Sequence, residues 1–217
     1  MLEEALEASS DLIVTYHPVI FQGLKRLDAS VAQHRVLLAA IRAGLPVYSP
    51  HTALDSAPRG MNDWLADGLG EGDRRSISPA RIELCGAGRG RVVALREPAP
   101  LRSLAASIKE HLGIKNLRIA EASHHAHGTP VARVAVAAGA GGELFEGLTD
   151  VDLLVTGEMR HHDVLARVAQ GTSVMLAEHT NSERGFLPIY AARFAADLGG
   201  CVAVDVSSRD RDPLEIG

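Results

Sequence analysis

The sequence predicts an α/β protein with a mainly parallel sheet flanked by helices. Two observations carry that expectation. Short β-branched runs alternate with segments of helical period, which is the pattern of βαβ units. The apolar residues are mostly Ala, Val, Leu and Ile, with only 4% aromatic residues, as suits helices packed on a buried sheet. A length of 217 residues is ample to bury a core, and no linker divides the chain, so a single domain over 1–217 is expected.

In chain order, Leu2 to Ala8 reads as a helix and Asp11 to Thr15 as a buried strand. Ser30 to Ala43 has helical spacing stopped by Gly44, and Pro46 to Ser49 is a short strand. Asn62 to Gly70 is a helix with a glycine cap. Ser76 to Pro100, rich in Gly, Arg and Pro, is read as extended edge elements, and Leu101 to Leu112 as a helix ended by Gly113. Leu117 to Glu121 and Val131 to Ala137 are expected strands joined by a hairpin loop carrying His124, His125 and His127, read as exposed. Gly139 to Gly142 is a tight turn whose amides are alternatively placed to receive an anion. Gly86 to Gly90 lacks the spacing and context of a dinucleotide fingerprint. The last third alternates strand, helix, strand, helix, strand over Asp152 to Thr156, His162 to Gln170, Ser173 to Ala177, Ser182 to Leu198 and Cys201 to Asp205.

Composition excludes several classes. A formal charge of −5, without clustered Lys and Arg, argues against direct nucleic-acid binding. No apolar run is long enough to span a membrane, and the N-terminus lacks the pattern of a secretory signal. Cys85 and Cys201 form no metal-type spacing or disulfide framework, so a reducing compartment is expected.

The chemistry lies just after the expected strands. Asp11–Thr15 runs into His17; Pro46–Ser49 into His51, then Asp55; Asp152–Thr156 into Glu158, then His161 and His162; Ser173–Ala177 into His179, then Glu183. In one parallel sheet these carboxyl ends share an edge, where open α/β folds bind ligands. Imidazole and carboxylate together suit zinc, manganese or iron, in one ion or two. His17, Asp55, His179 and Glu183 are the candidate ligands. His179 and Glu183 face the same way if a helix begins near Asn181. The plainer alternatives are histidines that are solvated or packed, as expected for His34 and His111, and a His161-His162 pair that caps a helix.

Four ordered motifs carry a resemblance. They are Tyr16-His17-Pro18 with Phe21, His51-Thr52-Ala53-Leu54-Asp55 with Asn62, Gly157-Glu158 with His161-His162, and His179-Thr180-Asn181-Ser182-Glu183. Together they resemble the Nif-three-like family, also called GTP cyclohydrolase type two homologues. Tyr16-His17-Pro18, Ser182 to Leu187 and Asp210 to Leu214 look like its eukaryotic branch. The resemblance implies a fold of two intertwined subdomains, a dinuclear metal centre and a homo-oligomer, from dimer to ring-shaped hexamer. It carries the ligand roles onto His17, Asp55, His179 and Glu183. Tyr16 stands where the family has the first histidine of a pair, which implies a weaker second ion or a single ion. The family also begins with a helix and a strand before the segment matching Leu2, and their lack implies an exposed sheet edge.

Two functions follow as expectations. One is a metal-dependent hydrolase acting on a nucleotide or other phosphate-bearing small molecule, with Glu158, His161 or His162 as general acid or base. The other is a scaffold with a structural or vestigial metal site that binds transcriptional regulators and is shared between cytoplasm and nucleus.

Overall fold

Two units make up the computed structural model, which describes residues 1–81 and 84–214. One comprises Met1–Leu54 and Asp205–Gly217; the other is Asp55–Val204.

The first unit contains α1 (Leu2–Glu7), β1 (Ile13–Val14), α2 (Ala32–Ala43) and β2 (Val47–Tyr48). α2 stops at Gly44, whose φ of 65° is open to glycine without a Cβ clash, and Leu45 N–H closes the end on Ala40 O. β1 and β2 pair in parallel, Ile13 opposite Val47 and Val14 opposite Tyr48. The C-terminal segment is held by Glu4, which accepts from the Ser207 hydroxyl and from the Ser208 amide and hydroxyl. The hydroxyl of Ser207 and then the donors of Ser208 lower the Glu4 carboxyl to about 2.

The second unit starts inside α3 (Thr52–Ser56) and continues through α4 (Met61–Asp67), β3 (Gly72–Pro79), β4 (Gly88–Ala99), α5 (Leu101–Leu112), β5 (Arg118–Ala120) and α6 (Ser123–Ala126). β6 (Val131–Ala137), β7 (Leu153–Thr156), α7 (His161–Ala169), β8 (Ser173–Leu176) and α8 (Leu187–Asp197) follow. Its six-stranded sheet has the order β3-β4-β6-β7-β8-β5. β7 and β8 are buried at every position, as the apolar residues that make up three of the four positions in each suggest. Val92, Ala135, Leu154 and Val174 pack with Phe145 in one core cluster. α5 buries Leu101, Leu104, Ala105 and Ile108, a single stripe at helical spacing, and α4 packs on β4 and β6.

The sheet corrects the expectation of mainly parallel strands. Only β6-β7 and β7-β8 are parallel; β3-β4, β4-β6 and β8-β5 are antiparallel. The physical reason lies in the connections. β3 and β4 form a long hairpin, so only β3 is an edge strand in the stretch expected to be all edge. β5 and β6 are not hairpin partners: β5 pairs with β8 at the far edge, and the histidine-rich link forms α6. His125 is buried there, against the expectation of an exposed cluster, and its Nδ1 meets Ser173 Oγ at 2.7 Å. The same hydroxyl accepts from Ala122 N–H at 2.9 Å, which turns the chain away from β5.

Two further expectations fail near the C-terminus. Cys201 to Asp205 is not a strand: Gly199 and Gly200, both at positive φ, turn it off α8, and Val202 stays exposed. The helix expected from Ser182 begins only at Leu187, with Pro188 in its first turn; short 3-10 turns, Thr180–Ser182 and Arg184–Phe186, precede it. Both cysteines are exposed and free.

Arg91 on β4 is a buried charge of this unit. Its Nε and Nη2 bind both carboxylate oxygens of Asp63 on α4 at 2.7 and 2.8 Å. Nη1 donates to Gly88 O and Gly90 O, and Nη2 also reaches Ala57 O. One guanidinium thereby fastens α4, the turn before it and the start of β4.

Candidate metal centre

β6, β7 and β8 are adjacent and parallel, so their carboxyl ends lie side by side. The loops leaving them are laced together by backbone and small polar groups. Gly139, at φ 65°, donates its N–H to Ser182 Oγ at 2.8 Å, and Ser182 Oγ donates to His179 O at 2.7 Å. Gly139 O accepts from Thr156 Oγ1 and from Glu158 N–H, each at 3.0 Å. A Cβ on Gly157 would lie 2.6 Å from Gly139 O and 2.8 Å from His179 Cα, so only glycine lets these ends close up. Glu178, just before His179, is held at φ 70°, a conformation costly for a side-chain-bearing residue.

This lacing sets His179 between two carboxylates. Its Nδ1 meets Glu158 Oε1 at 2.9 Å, and its Nε2 meets Glu183 Oε1 at 3.2 Å. Glu183 is only 8% exposed. Hydrogen bonding to Glu183, then to Glu158, outweighs burial and raises the His179 pKa to about 9 in the metal-free protein. His179 and Glu183 therefore meet as the i, i+4 spacing suggested, although a 3-10 turn and not an α-helix brings them together.

The donor set fits a borderline divalent ion. Imidazole Nε2 and a carboxylate oxygen converge, while the other ring nitrogen is held by a second carboxylate, the arrangement that fixes the tautomer of metal-binding histidines. Gly139 leaves the space open: a Cβ there would sit 2.6 Å from Glu183 Oε1 and 3.1 Å from His179 Nε2.

Asp55 is fastened to the same turn through its backbone. The buried Asn62 donates Nδ2–H to Asp55 O at 3.0 Å and accepts Ala138 N–H at 2.9 Å. His161 and His162 stand exposed at the first turn of α7, edge-on to each other with ring centroids 5.8 Å apart. Glu158 is thus the member of the expected acid–base set that touches His179.

His17 follows β1 in the first unit, so the expected strand ends are divided between two sheets and do not share one edge. Tyr16, His17 and His51 gather there, with centroids 4.7 Å apart for Tyr16–His17 and 5.4 Å for His17–His51. His51 is the ring that the ligand assignment passed over. Its signal was its place four residues before Asp55, after a strand that pairs in parallel with the one before His17.

Two histidines give the metal-free protein opposite pH limbs. Burial first, then His124, push the His125 pKa below its ordinary 6.5. Its contribution is present above about 6.5 and is lost as pH falls through the lower folded value. The His179 contribution is present below about 6.5 and is lost as pH rises through about 9. Urea midpoints of metal-free protein are expected to fall on both sides. His125→Gln should flatten the acid limb and His179→Gln the alkaline one; unchanged limbs in these variants would contradict the assignment.

The fold is that of an α/β protein with a carboxylate–histidine–carboxylate cluster at adjacent parallel strand ends. Residues 1–213 match the family Duf34/NIF3 (NGG1p interacting factor 3), and the chain belongs to that family. The NIF3 homolog of Schizosaccharomyces pombe is 40% identical over 211 residues, covering 93% of this chain and 75% of the relative. NGG1-interacting factor 3 of Saccharomyces cerevisiae is 36% identical over 223 residues, covering 99% and 77%. A solved Bacillus cereus protein related to NIF3 shares the fold at a TM-score of 0.84 and 17% identity, covering 100% of this chain and 86% of its own. Among the described residues no helix is long and apolar enough to cross a membrane.

Proposed function

We propose that this chain, as a single NIF3-type domain, binds a divalent zinc, manganese or iron ion through His179, Glu183, Asp55 and His17 and uses it to hydrolyse a nucleotide or other phosphate-bearing small molecule. The observation that carries the reading is His179 held between Glu158 and Glu183 beside the open face of Gly139. His17 and Asp55 enter as ligands on the ordered motifs. When bound, the ion would polarise the scissile bond and lower the pKa of its water. Glu158 orients the His179 ring, which leaves His161 and His162 as the proton-transfer residues of this reading. Tyr16 in place of a histidine favours one tightly held ion over two.

The test is hydrolysis of a panel of nucleotides and phosphate esters by zinc- or manganese-loaded protein. Expected is metal-dependent turnover that falls about 100-fold or more in His162→Ala with metal content kept. No turnover by loaded wild type on any member would sink the hydrolase.

The name of the S. cerevisiae relative supports a second reading, a homo-oligomeric scaffold for transcriptional regulators, cytoplasmic and nuclear, with a structural ion. Exposed Phe21 and Ile41, 68% and 66% accessible, supply apolar contact area for it. Partner binding kept by a metal-free Asp55→Ala variant would favour this reading.

A further inference from the structure

We propose that the cleft bounded by α4, β3 and α8 is a second binding site, for a phosphate-bearing small molecule of about mononucleotide size. It uses neither His179 nor Glu183, and it stands or falls independently of the metal reading.

The cleft has a volume of about 480 Å3, within the roughly 300–1,000 Å3 of small-molecule sites. Five arginines and two aspartates line it, in a chain whose net charge is −5. The aspartates are already engaged: Asp63 holds Arg91, and Asp67 binds Arg74 Nη1 at 2.6 Å. The guanidinium groups of Arg59, Arg75 and Arg193 form no ion pair with the two lining aspartates. An uncompensated cationic cleft in an acidic protein concentrates anions, and guanidinium groups match phosphate oxygens in pairs.

The arginines are also positioned. Arg59 is held at φ 58°, its N–H donating to Asp63 Oδ2 at 2.6 Å and its carbonyl accepting from Arg193 Nη1. A non-glycine residue kept in that conformation by two bonds at the rim of a cleft has the character of a functional position. Arg193 lies over Phe186, its Cζ 5.8 Å from the ring centroid. Trp64, Phe186 and Ile189 add apolar lining beside these charges, which suits a ligand with an apolar body and one anionic end.

Calorimetric titration of the chelator-treated full chain with AMP tests the proposal, beside adenosine and inorganic phosphate. Trp64 is the chain's one tryptophan, so its emission reports occupancy of this cleft. Expected are AMP binding with a change in Trp64 emission, and weaker binding of both adenosine and phosphate. In Arg59→Ala/Arg75→Ala the Kd should rise about tenfold or more, while His179→Ala and Arg102→Ala bind like wild type. Arg75→Glu alone, at an exposed edge-strand position, repeats the test should the double variant fold poorly. No AMP binding, or binding indifferent to Arg59 and Arg75, overturns the site. Binding lost in His179→Ala overturns it too, placing the phosphate at the metal centre and leaving the function proposed above intact. Inorganic phosphate binding as tightly as AMP overturns the size assignment.

Discussion

Replacing His179 with alanine is expected to reduce the bound transition metal of purified protein to background, while wild type carries about one ion per chain. The ring faces the buried carboxylate of Glu183 with its other nitrogen already fixed by Glu158. Its removal leaves His17 as the single nitrogen donor of the proposed set, which weakens its match to borderline ions. Glu158→Gln separates orientation from ligation. It keeps the ring but weakens its carboxylate anchor, so metal affinity should fall about 10- to 100-fold, not disappear. Gly139→Ala should also lose metal, because its Cβ would occupy the space beside Glu183 Oε1 and its φ of 65° would be strained. Elemental analysis after dialysis against metal-buffered solution reads all three. Full metal content in His179→Ala would remove the centre from the proposed function. Uptake by wild type should also be proton-linked below about pH 9, since the imidazolium held between the two glutamates must lose its proton to become a ligand.

The largest expected effect on stability comes from Asp63. Asp63→Ala leaves Arg91, whose side chain is 3% exposed, as a buried cation without its carboxylate. Breaking a buried pair from one side costs about 3–5 kcal/mol, far more than an exposed pair is worth. For a protein of this size that corresponds to a melting temperature lower by about 10 °C. Asp63→Asn should cost less, because an amide oxygen can still accept from Arg59 N–H. The exposed pair Arg102–Glu121 is the control, and Glu121→Gln should cost below about 1 kcal/mol. A loss below about 1 kcal/mol in Asp63→Ala would show that Arg91 is satisfied by its carbonyl partners alone.

Much of this architecture was legible because it is local. α5 shows its buried stripe in its own spacing and its end in Gly113, and β7 and β8 announce their burial by mostly apolar composition. Strand direction was not legible, since β5 against β8 and β3 against β4 depend on where the chain goes between them. The strand-end rule succeeded for β7 and β8, which deliver Glu158 and His179 to neighbouring positions. It failed to foresee that β1 and β2 form a separate sheet. Pairings of groups far apart in sequence, Asp63 with Arg91 and His125 with Ser173, leave no trace in periodicity or composition. Glu158 was singled out by type and position, but its contact with His179 requires the fold.

The hydrogen bonds that lace Gly139, Thr156, Glu158 and Ser182 hold His179 and Glu183 in place before any ion arrives. A site assembled in advance does not couple metal uptake to folding as a zinc finger does, so a chelator should empty it without unfolding the chain. Ions can then exchange in a protein that stays native. Which one occupies the centre is decided by intrinsic affinity order and by the free concentration of each metal around the protein, so the same chain made under zinc-rich and iron-rich conditions should carry different metals.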